Sequence, residues 1–368
     1  MNSLVSTVVY FVILFSQQAV AGDFYTYDYI EYLSEDDFLD NYDGSEFLND
    51  PSLSAVTTEF GPTVLSTTQL PIRSEVVVSE KIPWSSWWYP KREDWMFEDA
   101  SAGGKSVLSK YDLIRQIKYQ KNPRGPRPGS AAEYERAHYN PQALSWEGLC
   151  DAWSIASIAH PEPKRPVTYV IDGKSFSFNI GELKALLLKT YEAVDDSHFK
   201  FYGQKFSGDN HGWIYPDIFP DQFHRFVEVI LFQQRRPFIM DHDAGIQIWN
   251  TPVYKANYVI DRVPNDPNAI FVRTWIYTAE PTRTNDVNYH GTYEIVREYD
   301  YVLQGKRNSQ GQLVIESGYW VKGPDGVDSR RSHPDYLIWV PPTSQIVRKS
   351  WNPEIDINLV DEILSKSY

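Results

Sequence analysis

Apolar residues recur at helical spacing in three stretches of this chain and follow a strand-like pattern in many more. Leu144 to Ile158 reads as a helix entered near Cys150, because the loop-like Glu147-Gly148 gives way there to an apolar, alanine-rich run. Ile180 to Tyr191, carrying Leu183, Leu186, Leu187 and Leu188, predicts a second helix. Phe223 to Gln233, carrying Phe226, Val227, Val229 and Ile230, predicts a third. Val167 to Ile171 reads as a short strand that turns at Asp172-Gly173 into Phe176 and Phe178. Beyond Arg235-Arg236-Pro237 the texture becomes that of strands, rich in β-branched and aromatic residues. The segments are Phe238–Met240, Ile246–Trp249, Tyr254–Ile260, Ala269–Tyr277, Thr292–Leu303, Leu313–Trp320 and Tyr336–Val340. Helices first and strands afterwards predict an α+β domain. That order sets a helix-borne Cys150 against a later antiparallel sheet, as a cysteine–histidine hydrolase requires.

Composition divides the chain further. Residues 1–21 read as a secretion signal: an uncharged apolar run through Val8–Phe15 ends in Ala19-Val20-Ala21. No later stretch approaches the ~20 apolar residues of a transmembrane helix, so the mature protein is expected to be secreted and extracellular, without a membrane partner. Residues 22–60 hold eleven Asp or Glu and no Lys or Arg, which leaves about −3 of the net charge of −14 for the rest. All twelve tryptophans lie from Trp84 onward. An acidic stretch without tryptophan buries little apolar area, and residues 22–80 are expected to form a disordered tail or pro-segment. Residues 81–350 then suit one domain, with 351–368 as a C-terminal extension. The acidic balance argues against nucleic acid as a partner.

One cysteine in an exported chain has no disulfide partner within it, which leaves an intermolecular bridge, a free reactive thiol or a small buried hydrophobe. A helix N-terminus favours thiolate, and thiolate is the nucleophile. Such a nucleophile needs a base and a group to orient the base. The eight histidines are His138, His160, His198, His211, His224, His242, His290 and His333. Sequence distance does not choose among them, because the partners meet only in the fold. His224 lies near a helix start, His242 between Asp241 and Asp243, His290 at a strand start, and His333 in a turn with Asp335. No phosphate-loop or dinucleotide glycine pattern appears. A single cysteine excludes a thiolate metal cage. No cofactor is expected, although the aspartate-rich turns leave calcium open without a calcium-loop spacing.

Trp146-Glu147-Gly148 leading into Cys150-Asp151-Ala152-Trp153, followed by Pro161-Glu162-Pro163, resembles the active-site segment of the oomycete transglutaminase elicitor family. Gly181-Glu182-Leu183-Lys184-Ala185-Leu186-Leu187 stands where that family ends a stretch in Lys-Ala-Leu-Leu. Ile248-Trp249-Asn250-Thr251-Pro252-Val253, preceded by Phe238-Ile239-Met240-Asp241, is similar to its elicitor peptide. Phe223-His224, Tyr299-Asp300-Tyr301-Val302-Leu303, Gly318-Tyr319-Trp320 and His333-Pro334-Asp335-Tyr336 extend the likeness, which spans about residues 81–341. The resemblance implies a papain-like fold and protein-glutamine γ-glutamyl transfer between accessible Gln and Lys side chains of protein substrates. Cys150 would be the nucleophile, with His224 and Asp300 as partners and Asp241 and His333 as alternatives. Trp249 and Pro252 would line the substrate site. Asp151 replaces the family's histidine after the cysteine, and a carboxylate there raises the thiol pKa. A papain-like cysteine hydrolase and a catalytically inactive secreted binding protein are the rival expectations.

Overall fold

Local signals start and stop the elements of the computed structural model, which describes residues 54–203, 217–242, 247–283, 286, 288–330 and 332–368. The N-terminal segment supplies α1 (Ala55–Phe60), β1 (Val64–Leu65), β2 (Ile72–Arg73) and β3 (Val77–Val78). Next come α2 (Val107–Lys121), α3 (Ala131–Ala137), α4 (Cys150–Ala159), β4 (Val167–Ile171), β5 (Lys174–Phe178) and α5 (Ile180–Lys189). After β6 (Lys200–Tyr202) and α6 (Pro220–Phe226) the strands dominate: β7 (Phe238–Asp241), β8 (Asn250–Val263), β9 (Asp266–Ala279), β10 (Glu294–Arg307), β11 (Leu313–Trp320) and β12 (Leu337–Trp339). Helix α7 (Ile357–Leu364) follows. The α+β class read from the sequence is the observed one.

Ser106 caps α2 by accepting the Ser109 N–H, and Asn179 and Glu182 form a reciprocal capping box at the start of α5. Asp172 and Gly173 both take positive φ, 54° and 70°, as a tight two-residue hairpin between β4 and β5 demands. Helix α4 starts at Cys150 rather than Leu144, since residues 144–149 are turns. The helix expected over Phe223–Gln233 is present, but beyond Phe226 it widens to a π-helical stretch, Val227–Gln233.

Among the described residues ten strands form one antiparallel sheet in the order β1-β11-β10-β9-β8-β7-β12-β6, with β2 and β3 paired to the outer reaches of β8. Two large apolar cores result, with a smaller third around Ile239, Tyr336 and Ile338. One gathers α2, α4, α5, α7 and the Trp84–Tyr89 segment around Trp153, which is fully buried. The other packs α6 and its π-helical continuation on the sheet around Phe223, Phe226 and Tyr301.

Two boundaries read from the sequence change. Residues 54–80, expected within the tail, are integral: β1 pairs with β11, β2 and β3 pair with β8, and Val56 and Val77 are buried. Residues 22–53 lie outside the described residues. Residues 351–368 are a wall of the helical core, to which α7 contributes Leu359, Val360, Ile363 and Leu364. The stretch Ile246–Trp249 is not a strand in its described part, and β8 begins at Asn250.

Candidate active site

Cys150 is the first residue of α4, and its surroundings follow from Gly148 two residues earlier. A side chain at 148 would meet Trp88 Cδ1 and the Trp88 carbonyl oxygen at 2.6 Å each, so only glycine lets the Trp84–Tyr89 segment lie against the helix start. There the Leu149 N–H donates to the Trp88 carbonyl at 2.6 Å. Trp88 also meets Trp249 edge-to-face, with centroids 5.7 Å apart. Cys150 belongs to this aromatic cluster and is 7% exposed.

Polar groups from three elements converge on the thiol. Its Sγ lies 3.6 Å from Asp151 Oδ1, to which the thiol donates. Asn250 Nδ2, at the start of β8, donates to the same carboxylate oxygen at 2.6 Å. The Tyr336 hydroxyl, just before β12, donates to Asn250 Oδ1 at 2.9 Å. Ser154 Oγ sits between helix and sheet, 2.9 Å from the Cys150 carbonyl oxygen and 2.5 Å from that of Asn250. Asp241 closes β7, and its Oδ1 accepts the Trp249 N–H at 3.1 Å. Burial first, then the charges of Asp151 and Asp241, push the Cys150 thiol well above the ordinary thiol range. It is a protonated group at neutral pH.

The histidine and aspartate expected as its partners lie elsewhere. His224 is on α6 in the sheet-side core, with Nδ1 2.7 Å from the Tyr301 hydroxyl, and burial pushes its imidazole down to about 4. The apolar face that made Phe223–Gln233 legible as a helix is the face that draws His224 inward, away from the helix carrying Cys150. Asp300, fully buried on β10, is held by Arg273, whose Nε donates to Oδ1 at 2.9 Å. Gly323 passes so close over that carboxylate that no side chain fits there. The two residues do not meet each other or the thiol.

Of the alternatives, Asp241 does face Cys150, whereas His333 stacks on Trp320 and bonds Asp217 Oδ2 at 2.8 Å. His242 follows Asp241, but its charged neighbours are Arg297 and Glu280. Its Nδ1 is buried without a hydrogen-bond partner among the described residues, and burial pushes the ring down to about 4. His160 caps the far end of α4 between the hydroxyls of Tyr191 and Tyr368. His138 stacks on Tyr134, His198 and His290 are exposed, and His211 lies outside the described residues. No histidine among the described residues hydrogen-bonds Cys150. Trp249 is half-buried beside the site. Pro252 is buried in β8 opposite Ile239, one residue ahead of the first β8–β9 pair at Val253.

Sequence reasoning missed Asn250 and Tyr336. Their signal was faint: polar tips at the starts of otherwise apolar strands, where a buried amide or hydroxyl needs a partner. Among the described residues no group of three or more His, Cys, Asp or Glu is placed to hold a metal, and no helix is long and apolar enough to cross a membrane.

Residues 135–269 match the family model described as "Transglutaminase elicitor". That span includes Cys150, Asp151, Asp241, Trp249 and Asn250 and stops short of Asp300 and Tyr336. The crystal structure of the GP42 transglutaminase from Phytophthora sojae superposes with a TM-score of 0.55, covering 86% of this chain and 97% of that one at 17% identity. At that identity the likeness carries the fold alone. No curated protein matches the chain. The resemblance to the transglutaminase elicitor family is thus shown over residues 135–269, within a fold shared with GP42 over most of the chain.

Proposed function

We propose that this chain is a secreted protein-glutamine γ-glutamyltransferase with Cys150 as nucleophile, and that it works only at alkaline pH. One observation carries the reading: Cys150 opens α4 against the start of β8, in the apolar cluster that also holds Trp88 and packs Trp249. The family match over that segment supports it. With no imidazole bonded to it among the described residues, the thiol ionises by losing its proton to solvent. The thiolate then attacks the carboxamide carbon of a glutamine side chain. The C–S bond forms, the C–N bond breaks, and ammonia leaves with a proton from water. A lysine amine attacks the thioester, the isopeptide C–N bond forms, the thiolate departs, and the amine proton passes to water. Aromatic walls around the thioester keep water away and favour the amine. His224 and Asp300 have no part in this chemistry.

The test is incorporation of a labelled primary amine into a glutamine-rich acceptor protein from pH 7 to 10, with and without calcium, against Cys150→Ala. Incorporation should rise with pH across this range, as the thiolate fraction of the upshifted thiol grows, and vanish in Cys150→Ala. Ammonia release or peptide cleavage without amine incorporation would instead mark a papain-like hydrolase. A second reading, a recognition protein without crosslinking activity, is favoured by the two carboxylates that face the thiol. It predicts no incorporation at any pH.

A further inference from the structure

We infer that Asp151, braced by Asn250 and Tyr336, is a positioning residue that silences Cys150, and that a neutral side chain of the same shape at 151 releases the thiol as a nucleophile. This rests on the reading of Cys150 as the nucleophile.

The argument is one of donors and acceptors. A tyrosine hydroxyl can give one hydrogen bond, and Tyr336 gives its own to Asn250 Oδ1. With its oxygen so engaged, the Asn250 amide must turn Nδ2 the other way, onto Asp151 Oδ1 at 2.6 Å. Asn250 and Tyr336 are 3% and 1% exposed, so neither has water as a substitute partner. The Asn250 amide is thus bonded at both ends, and it ties the carboxylate of Asp151, which stands on the exposed side of α4, to the start of β8. One carboxylate oxygen is thereby parked 3.6 Å from the sulfur, where it accepts the thiol proton's hydrogen bond and opposes a second negative charge.

The other charged group facing the sulfur is Asp241 from β7. Its carboxylate also closes the β7–β8 connection through the Trp249 N–H, so removing it would disturb the fold. Among the described residues, Asp151 and Asp241 are the charges that act on the thiol. Asp151 is therefore the separable term. A carboxylate held by the buried Asn250, which is itself held by the buried Tyr336, is more than a solvated surface charge.

The experiment is the pH–rate profile of iodoacetamide alkylation of the full chain and of Asp151→Asn. The variant's midpoint should fall by about one pH unit or more. Because a more acidic thiolate is also a weaker nucleophile, the rate at pH 8 should rise by about threefold rather than tenfold. Asp151→Glu keeps the charge and should keep the wild-type profile. Tyr336→Phe removes one of the two bonds that fix the Asn250 amide and should move the profile in the same direction as Asp151→Asn, by less. Superimposable profiles for wild type and Asp151→Asn, at unchanged melting temperature, would overturn the inference. A shifted alkylation profile with no amine incorporation in either protein would uphold it while sinking γ-glutamyl transfer.

Discussion

His224 titrates for the fold and not for the site. Its imidazole is about 4 when buried, against roughly 6.5 when exposed, so the unfolded chain takes up a proton that the folded chain refuses. The contribution of a neutral His224 is complete above about pH 6.5 and is lost as pH falls toward 4, on the order of 3 kcal/mol. Urea denaturation of His224→Gln at pH 7 and pH 4.5 should show a smaller difference between the two pH values than wild type does. Alkylation of Cys150 should not change; a slower or shifted reaction would put His224 back at the thiol. Gly148→Ala should cost about 1–3 kcal/mol through overpacking against Trp88, read by thermal denaturation. Cys150 was legible in the sequence because a loop gives way to an apolar helix there. Its partners were not. A histidine near a helix start looks alike whether its helix packs on the thiol or on the far side of a sheet. Nothing near Asp300 reveals that Arg273, across the β9–β10 ladder, claims it.

The helices were legible where one face was strongly apolar, and α2 was missed although Val107, Leu108, Tyr111, Ile114 and Ile117 follow helical spacing. Its interleaved lysines, glutamines and arginine dilute the face. Strand positions were read well, but β8, β9 and β10 each run to 14 residues because their outer ends carry polar residues that pair without being buried. Register decides which polar groups meet, and register is a property of two strands that neither sequence states alone. Between elements, one contact is sharply testable. Lys184 on α5 donates from Nζ to Glu162 Oε1 at 2.8 Å and to the Ser85 and Tyr289 carbonyl oxygens, while both Glu162 oxygens accept the Gly291 N–H. Lys184→Met leaves Glu162 as a buried, uncompensated charge and should cost about 3–5 kcal/mol. Adding Glu162→Gln should restore part of it. Equal losses in the single and double variants would mean that Lys184 acts through packing alone.

At the scale of the molecule, the acidic composition of residues 22–60 suggested a boundary near 80, and the fold draws the chain in earlier. Arg225 grips the Phe60 and Gly61 carbonyl oxygens, and the Thr57 N–H donates to Gln222 Oε1, so the 54–80 segment is stitched to α6 as well as to the sheet. Composition averages over a window and does not register two buried valines. Removing residues 22–80 should therefore destabilise the protein by about 3–6 kcal/mol, the burial of Val56 and Val77 alone, as measured by chemical denaturation; unchanged stability would make the segment an appendage. A test of the acidic stretch as a pro-segment needs a cut at 53. The apolar cores also hold together without any covalent brace, because Cys150 is the chain's one cysteine and lies in the interior of one of them. Many exported proteins lose several kcal/mol when their disulfides are reduced. This chain, with a single cysteine, has no internal disulfide to reduce. Its melting temperature should be the same in dithiothreitol as in glutathione disulfide, and its folding needs no thiol–disulfide isomerase.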